Sequence, residues 1–424
     1  MRNAIIEIRR KTAALWRSAQ ADPVKALTVI GAVSLLAYLV FALLPLALPD
    51  TDRSHFPPYL ALPESDFSLS NYYLLYVFLS GTAFAIFGLY LAGLGVADAG
   101  GVSATGDTGR PLKPRSDSGR TLTVIVTFAV LFHLVMLMVP TLLSTDIFDY
   151  IRHARILAIY GENPLIIPAT YFPHDPFYNM GGWVGTGSVY GPLHIYVTSA
   201  IAWVAGDGFS ANFFLFRGFF VAMNLVNLYL IWRIAARIKP GLERKALLFF
   251  GWNPFILILV VSNAHNDILM LALVLAGFLQ YLNRRVLLGA LFITMAILVK
   301  FIALPILFVY LALALRQNRT LARRLAITGG SLLIFTAVTF LSYLPLWAGR
   351  ETFKSMTTVG RKANFTLPGL IRDLAAGHFQ LQLSSTLIQL TFATLLGAYI
   401  IWHIRGVSSF RGLVSASAGI AFLT

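Results

Sequence analysis

The sequence predicts an all-α, polytopic transmembrane protein of about eleven spans, with a further re-entrant or interfacial helix near 191–206. Three observations carry that prediction. The 424 residues are 57% hydrophobic and only 12% charged, about half the charge of soluble domains. Apolar runs long enough to approach a bilayer's width recur along the chain. Lys and Arg gather in alternate loops, as cytoplasmic segments do.

The runs lie near 26–48, 72–96, 121–143, 210–236, 245–262, 266–283, 285–300, 302–317, 323–346 and 384–403, and a last one begins near 410. A basic N-terminus (Arg2, Arg9, Arg10, Lys11, Arg17) precedes the first run, which has no small-residue cleavage site, so it reads as an uncleaved helix with a cytoplasmic N-terminus. If each run crosses once, four basic loops face the cytoplasm together: Arg110 to Arg120, Arg237 to Lys245, Arg284 with Arg285, and Arg316 to Arg324. The apolar stretch 191–206 would break that pattern as a full span. It therefore reads as half-inserted and sheltered by protein, since lipid satisfies no free backbone group. The result is one transmembrane domain over 1–424 in the plasma (inner) membrane, with outer loops at 144–190 and 347–383. The chain stops at Thr424 inside an apolar stretch, as a truncated chain would.

The net charge of +15 suits anionic lipid in such a protein, and no nucleic acid is expected. Absence of cysteine excludes disulfides, thiolate catalysis and zinc–thiolate sites.

The third run leads into TDIFDY, where Asp146 and Asp149 meet the outer surface. A spacing of three puts both carboxylates on one helical face, continued by Arg152 and Arg155 beside Tyr150. A carboxylate there can act as general base toward a hydroxyl. The alternative is a helix start, for which Ser144, Thr145 and Asp146 are all suitable caps. Tyr190 in YGPL lines a sugar site or anchors at the interface. In NAHND, His265, Asn266 and Asp267 face a polar cavity, or form a tight turn with Asp267 capping the next helix. His265 with Asp267 keeps a divalent metal open, and no cofactor is assigned. Lys300 and Arg217 sit near outer ends of spans, where each either meets an anion or snorkels. In the second outer loop Arg350, Lys354, Arg361, Lys362 and Arg372 outnumber Glu351 and Asp373. Positive charge outside runs against the usual bias, and a phosphate ligand held by Arg361, Lys362 and Arg372 accounts for it. Outer-leaflet headgroups and the acids of the first loop are the other partners to weigh.

TDIFDY, ARILAIYGENP, DPFYNM, YGPL, WNP, NAHND and LVKF follow one another over residues 121–305. In that order they resemble the GT-C class of polyprenyl-phosphate-sugar glycosyltransferases, and are most similar to the bacterial alpha-mannosyltransferases that use polyprenyl-phosphate-mannose. The resemblance implies Asp146 as catalytic base with Asp149 as the fallback, a polyprenyl-phosphate-linked donor with mannose favoured, and a glycan or glycolipid acceptor on the outer face. The acids form Asp-x-x-Asp, which leaves metal dependence open. The rival classes are a transporter or flippase and a non-catalytic assembly subunit. Transporters favour repeats and midplane polar sites, whereas here no repeat is visible and the polar residues gather toward one face.

Overall fold

A computed structural model of the protein describes residues 18–44, 69–99, 118–141, 144–356, 369–371, 374 and 385–423. The N-terminal basic cluster, the loop positions Arg110, Lys113 and Arg115, the phosphate candidates Arg361, Lys362 and Arg372, and Thr424 lie outside the described residues. Among the described residues every regular element is helical, and the protein is all-α and polytopic. The helices are α1 (Pro23–Leu43), α2 (Leu69–Ala99), α3 (Ser118–Met136), α4 (Asp146–Ala158), α5 (Pro192–Ala205), α6 (Phe209–Ile238), α7 (Leu242–Gly251), α8 (Asp267–Leu282), α9 (Val286–Val299), α10 (Leu304–Gln317), α11 (Leu321–Tyr343), α12 (Ser385–Gly406) and α13 (Phe410–Leu423).

Five helices among the described residues are long and apolar enough to cross a membrane: Pro23–Leu43, Val77–Ala97, Gly119–Met136, Phe209–Ile238 and Leu321–Leu346. Four further apolar helices are shorter: Pro192–Ala205, Asp267–Leu282, Val286–Val299 and Phe301–Gln317. The 14 residues of α5 reach about 21 Å, short of a hydrocarbon core of about 30 Å. The run expected at 245–262 is not one continuous helix. Helix α7 ends at Gly251, and Pro254, which lacks an N–H, follows the turn. The Asn253 side chain accepts the Phe255 N–H at 3.0 Å there, and the chain resumes as a π-helix over Ile256–Val261. The run expected at 121–143 also ends early, at Met136.

The chain forms two compact units, each assembled from separate stretches. The first comprises Met1–Ile147 and Gly208–Ile268. In it α1 packs against α2 and α3, and α6 against α7. Lipid is as apolar as leucine, so close approach and hydrogen bonds, more than burial from water, hold such helices together. Gly31 provides the approach: a Cβ there would lie 2.4 Å from the Phe128 ring. Trp252, 1% exposed, donates its indole N–H to the Ile125 carbonyl at 2.9 Å. A buried polar chain adds to this. His133 Nδ1 pairs with the Ala129 carbonyl at 2.6 Å, which leaves Nε2 to accept from Asn224 Nδ2 at 2.8 Å. Asn227 Nδ2 then donates to Asn224 Oδ1 at 3.3 Å and to the Ile268 carbonyl at 3.1 Å.

The second unit comprises Phe148–Asp207 and Leu269–Thr424. Helix α9 packs against α5, α10 and α11, and α10 against α12 and α13. Gly191, just before α5, donates its N–H to the Val299 carbonyl at 3.1 Å. The stretch 159–191 is tied down by Asn163, whose Nδ2 donates to the Leu346 carbonyl at 2.7 Å, and by Ser188 N–H to the Pro164 carbonyl at 2.7 Å. Leu165, Ile195 and Leu346 form a buried cluster beneath it.

Candidate active site

In the first unit the polar residues converge where α4 begins. The Asp146 backbone N–H donates to Ser144 Oγ at 3.2 Å, so Ser144 starts the helix. The Asp146 side chain remains 34% exposed, and its Oδ2 lies 3.4 Å from His265 Nδ1. The chain preceding His265 is irregular for a reason that can be traced. The π-helix leaves backbone carbonyls to be satisfied at its end. Ser262 Oγ takes the Ile258 carbonyl at 2.6 Å, and Asn263 Nδ2 takes those of Ile258 and Leu259 at 3.1 and 3.0 Å. Ala264, fully buried, then adopts φ 54, a left-handed conformation that costs a residue with a Cβ about 1–2 kcal/mol. His265 follows, its N–H bonded to the Val260 carbonyl at 3.1 Å. Asn266 is buried, and neither amide atom has a hydrogen-bond partner among the described residues. Asp267 opens α8, where its charge meets the positive end of the helix.

Arg217, also in the first unit and fully buried, closes the end of α3. Its Nη1 donates to the carbonyls of Met136, Leu137 and Val139, and its guanidinium lies 4.3 Å from the Phe213 ring centroid. These bonds satisfy the carbonyls that α3 leaves unpaired.

In the second unit the remaining residues of α4 organise the stretch that follows. Asp149 pairs with Arg152 and accepts the N–H groups of Gly182 and Trp183 at 3.3 and 3.1 Å. Gly181 makes that turn with φ 82, and a Cβ there would lie 2.9 Å from Asp149 Oδ1. Arg152 also donates to the Tyr178 carbonyl at 3.1 Å. Arg155, 1% exposed, donates to Asp175 at 2.8 Å, to Asp207 at 2.7 Å and to the Gly206 carbonyl at 2.6 Å. Burial would lower its pKa, but the Asp207 and Asp175 carboxylates outweigh that and hold the guanidinium above its ordinary value. Burial pushes the His153 imidazole below its ordinary value despite the Asp149 charge, and its Nε2 meets the Thr186 carbonyl at 3.2 Å.

Tyr150, Tyr190 and His194 form an aromatic trio in the same unit. Ring centroids are 5.2 Å apart for Tyr150 and Tyr190, 5.0 Å for Tyr150 and His194, and 4.9 Å for Tyr190 and His194. The Lys300 charge acts on His194. Lys300 follows α9 in extended conformation, next to Phe301 and two positions after Leu298. Leu298 and Phe301 line an apolar cavity of about 640 Å³, together with Ile297, Phe340, Tyr343 and Trp347. Lys354 forms an exposed pair with Glu351 at 2.9 Å.

The structure thus gathers Asp146 with His265 in one unit, and Tyr150, Tyr190 and Lys300 around His194 in the other. Asp175, Asp207, His153 and His194 have structural partners that the sequence reading does not assign. Asp175 lies in the quoted DPFYNM segment, but nothing local discloses its partner Arg155. Among the described residues no three His, Asp or Glu side chains gather as a metal site.

A family model described as "Alpha-(1->6)-mannopyranosyltransferase, N-terminal domain" matches residues 28–316, more than half of the chain. The chain is 28% identical over 169 residues to alpha-(1->6)-mannopyranosyltransferase A of Corynebacterium glutamicum, covering 39% of this chain and 34% of that protein. It is 30% identical over 213 residues to the protein of that name from Mycobacterium tuberculosis, covering 48% and 40%. A probable alpha-(1->6)-mannopyranosyltransferase of Mycolicibacterium smegmatis is 29% identical over 150 residues, covering 34% and 26%. The matches thus span between about a quarter and two fifths of these relatives' lengths. No solved structure matches.

Proposed function

This chain belongs to the alpha-(1->6)-mannopyranosyltransferase family, and on that premise we propose that it moves a hexose, mannose favoured, from a polyprenyl-phosphate carrier to a glycan or lipid acceptor at the outer membrane face. The observation that carries the donor assignment is the apolar cavity of about 640 Å³, whose lining includes Phe301, the residue that follows Lys300 in the chain. An isoprenoid tail suits a cavity lined by Phe340, Tyr343 and Trp347, and a cation beside it suits the phosphate. Tyr190, partly exposed and packed against the buried rings of Tyr150 and His194, offers an aromatic face to a sugar ring.

Transfer needs one base. Asp149 is committed to Arg152 and to the N–H groups of Gly182 and Trp183, so the base is Asp146, whose carboxylate is one-third exposed. The acceptor hydroxyl gives its proton to Asp146 as its oxygen attacks the anomeric carbon. The bond from that carbon to the phosphate oxygen breaks, and polyprenyl phosphate leaves with the electron pair. Cations stabilise its charge, so it departs unprotonated. One carboxylate then suffices, unlike the pair a glycoside hydrolase needs. Attack opposite the phosphate inverts the anomeric centre.

Membranes carrying the chain, given radiolabelled polyprenyl-phosphate mannose, should transfer label to endogenous acceptor. Asp146→Asn should abolish transfer while the protein still accumulates and folds. Undiminished transfer by that variant removes Asp146 as the base. No transfer from any polyprenyl-phosphate sugar removes the donor class.

A further inference from the structure

We propose that His265 is the positioning residue for Asp146: its Nδ1, 3.4 Å from Asp146 Oδ2, orients the carboxylate and stabilises its anionic form for proton abstraction. The proposal rests on Asp146 being the base. Its geometric support is independent of that reading and comes from how the chain delivers His265.

The two residues are far apart in sequence, yet the local structure before His265 serves to aim it. Helical winding is relaxed to π over Ile256–Val261, an irregularity frequent at functional sites. Ser262 and Asn263 take the carbonyls that this winding leaves. Ala264 is held left-handed at φ 54 and fully buried, in a position where glycine would be unstrained. A plain interhelical turn needs none of this, since Gly or Asn at 264 would make it without strain. What the strained turn yields is an imidazole, 26% exposed, against a carboxylate that is 34% exposed, so both stay open to a substrate hydroxyl. The backbone of His265 is held by its N–H bond to the Val260 carbonyl, and its Nδ1 stands 3.4 Å from the carboxylate oxygen. The chemistry follows simply. With Nδ1 carrying a proton, the imidazole turns its positive edge toward Oδ2 at 3.4 Å and favours one orientation of the carboxylate. The proton taken from the acceptor goes to Asp146 and not to His265, so the bonds made and broken in the transfer are unchanged.

The test is steady-state transfer by the full chain in membranes, with polyprenyl-phosphate mannose as donor. His265→Leu should lower kcat about a hundredfold with the donor KM within about twofold. His265→Asn, which places an amide N–H near the Nδ1 position, should recover kcat to within about fivefold of the parent. A purely structural histidine would not give that split between Leu and Asn at equal protein level and equal thermal stability. If His265→Leu keeps kcat while Asp146→Asn is inactive, the pairing is overturned and sugar transfer by Asp146 stands. If both His265 variants raise donor KM and keep kcat, His265 contacts the donor, and the positioning role is overturned. If Asp146→Asn is fully active, the base assignment falls, and His265 loses its role with it.

Discussion

Arg155 and its acidic partners lie 20 and 52 positions apart in the chain, and they divide the electrostatic work unequally. Asp175 is 7% exposed at its side chain, whereas Asp207 is 78% exposed. Removing the guanidinium leaves the buried Asp175 carboxylate its bonds from the Tyr160 hydroxyl and the Phe177 N–H but no counter-charge, a loss of up to about 3–5 kcal/mol, while an exposed partner contributes about 1 kcal/mol or less. Arg155→Met should therefore lower the apparent Tm of the detergent-solubilised protein by several degrees, and Asp207→Asn should leave it nearly unmoved. An equal effect of the two would contradict this division. His153 gives a pH dependence of definite sign. Its imidazole is lowered in the folded chain by burial, against the raising effect of Asp149 and with the help of Arg152. The unfolded chain, near its ordinary value of about 6.5, then binds the proton more readily. Stability is full above about pH 6.5 and falls as the pH drops below it. His153→Gln should flatten the Tm-against-pH curve over that window. None of these partnerships was readable from spacing. Arg152 and Arg155 stand in the sequence as continuations of the Asp146 and Asp149 face, and only the folded stretch 175–207 brings their partners to them.

Apolar runs disclosed most helices to within a few residues, because length and hydropathy are local properties. Val286–Val299 and Leu304–Gln317 occupy the runs expected at 285–300 and 302–317. The early end of α3 is marked by Pro140, which has no N–H to give the Met136 carbonyl four positions back and disfavours helix at the residue before it, but the apolar residues around it mask that signal. The carbonyl so freed is taken by Arg217, 81 positions away, a partner that no spacing discloses. The division of 245–262 was marked by Asn253–Pro254 but masked by the hydropathy around it. Helix α5 depends on one residue at its start. A Cβ on Gly191 would sit 2.1 Å from the Leu298 carbonyl oxygen, a backbone atom that no side-chain rotation can move. Gly191→Ala should therefore force α5 away from α9 and cost about 1–3 kcal/mol or more, read as a fall in Tm and in folded yield. A Tm within about 1 °C of the parent would show that the two helices are not locked there. The same junction holds Val299, beside Lys300 in the chain, so the variant should also lose transfer activity.

For the molecule as a whole, composition fixes the solvent and leaves the chemistry to a few residues. The Leu321–Leu346 span buries only 11% of its most apolar window, and Leu332, Leu333 and Leu341 are all over 60% exposed, so much of this helix is surfaced for lipid. Its other residues, among them Phe335, Thr339 and Tyr343, line the cavity beside Lys300. A helix with lipid on one side and a cavity on the other is, on the proposed donor reading, the wall past which an isoprenoid tail would enter sideways. The cavity's role as tail site then predicts a dependence on donor chain length. Thr339→Trp places a bulky ring in the cavity. With a long polyprenyl-phosphate mannose donor its KM should rise about tenfold at unchanged kcat, because only ground-state and transition-state binding of the tail is lost equally. With a short isoprenoid donor, whose tail does not fill the cavity, KM should stay near the parent value. Equal KM changes for long and short donors would mean that the ring disturbs the site generally, and the tail would have to bind elsewhere on the chain.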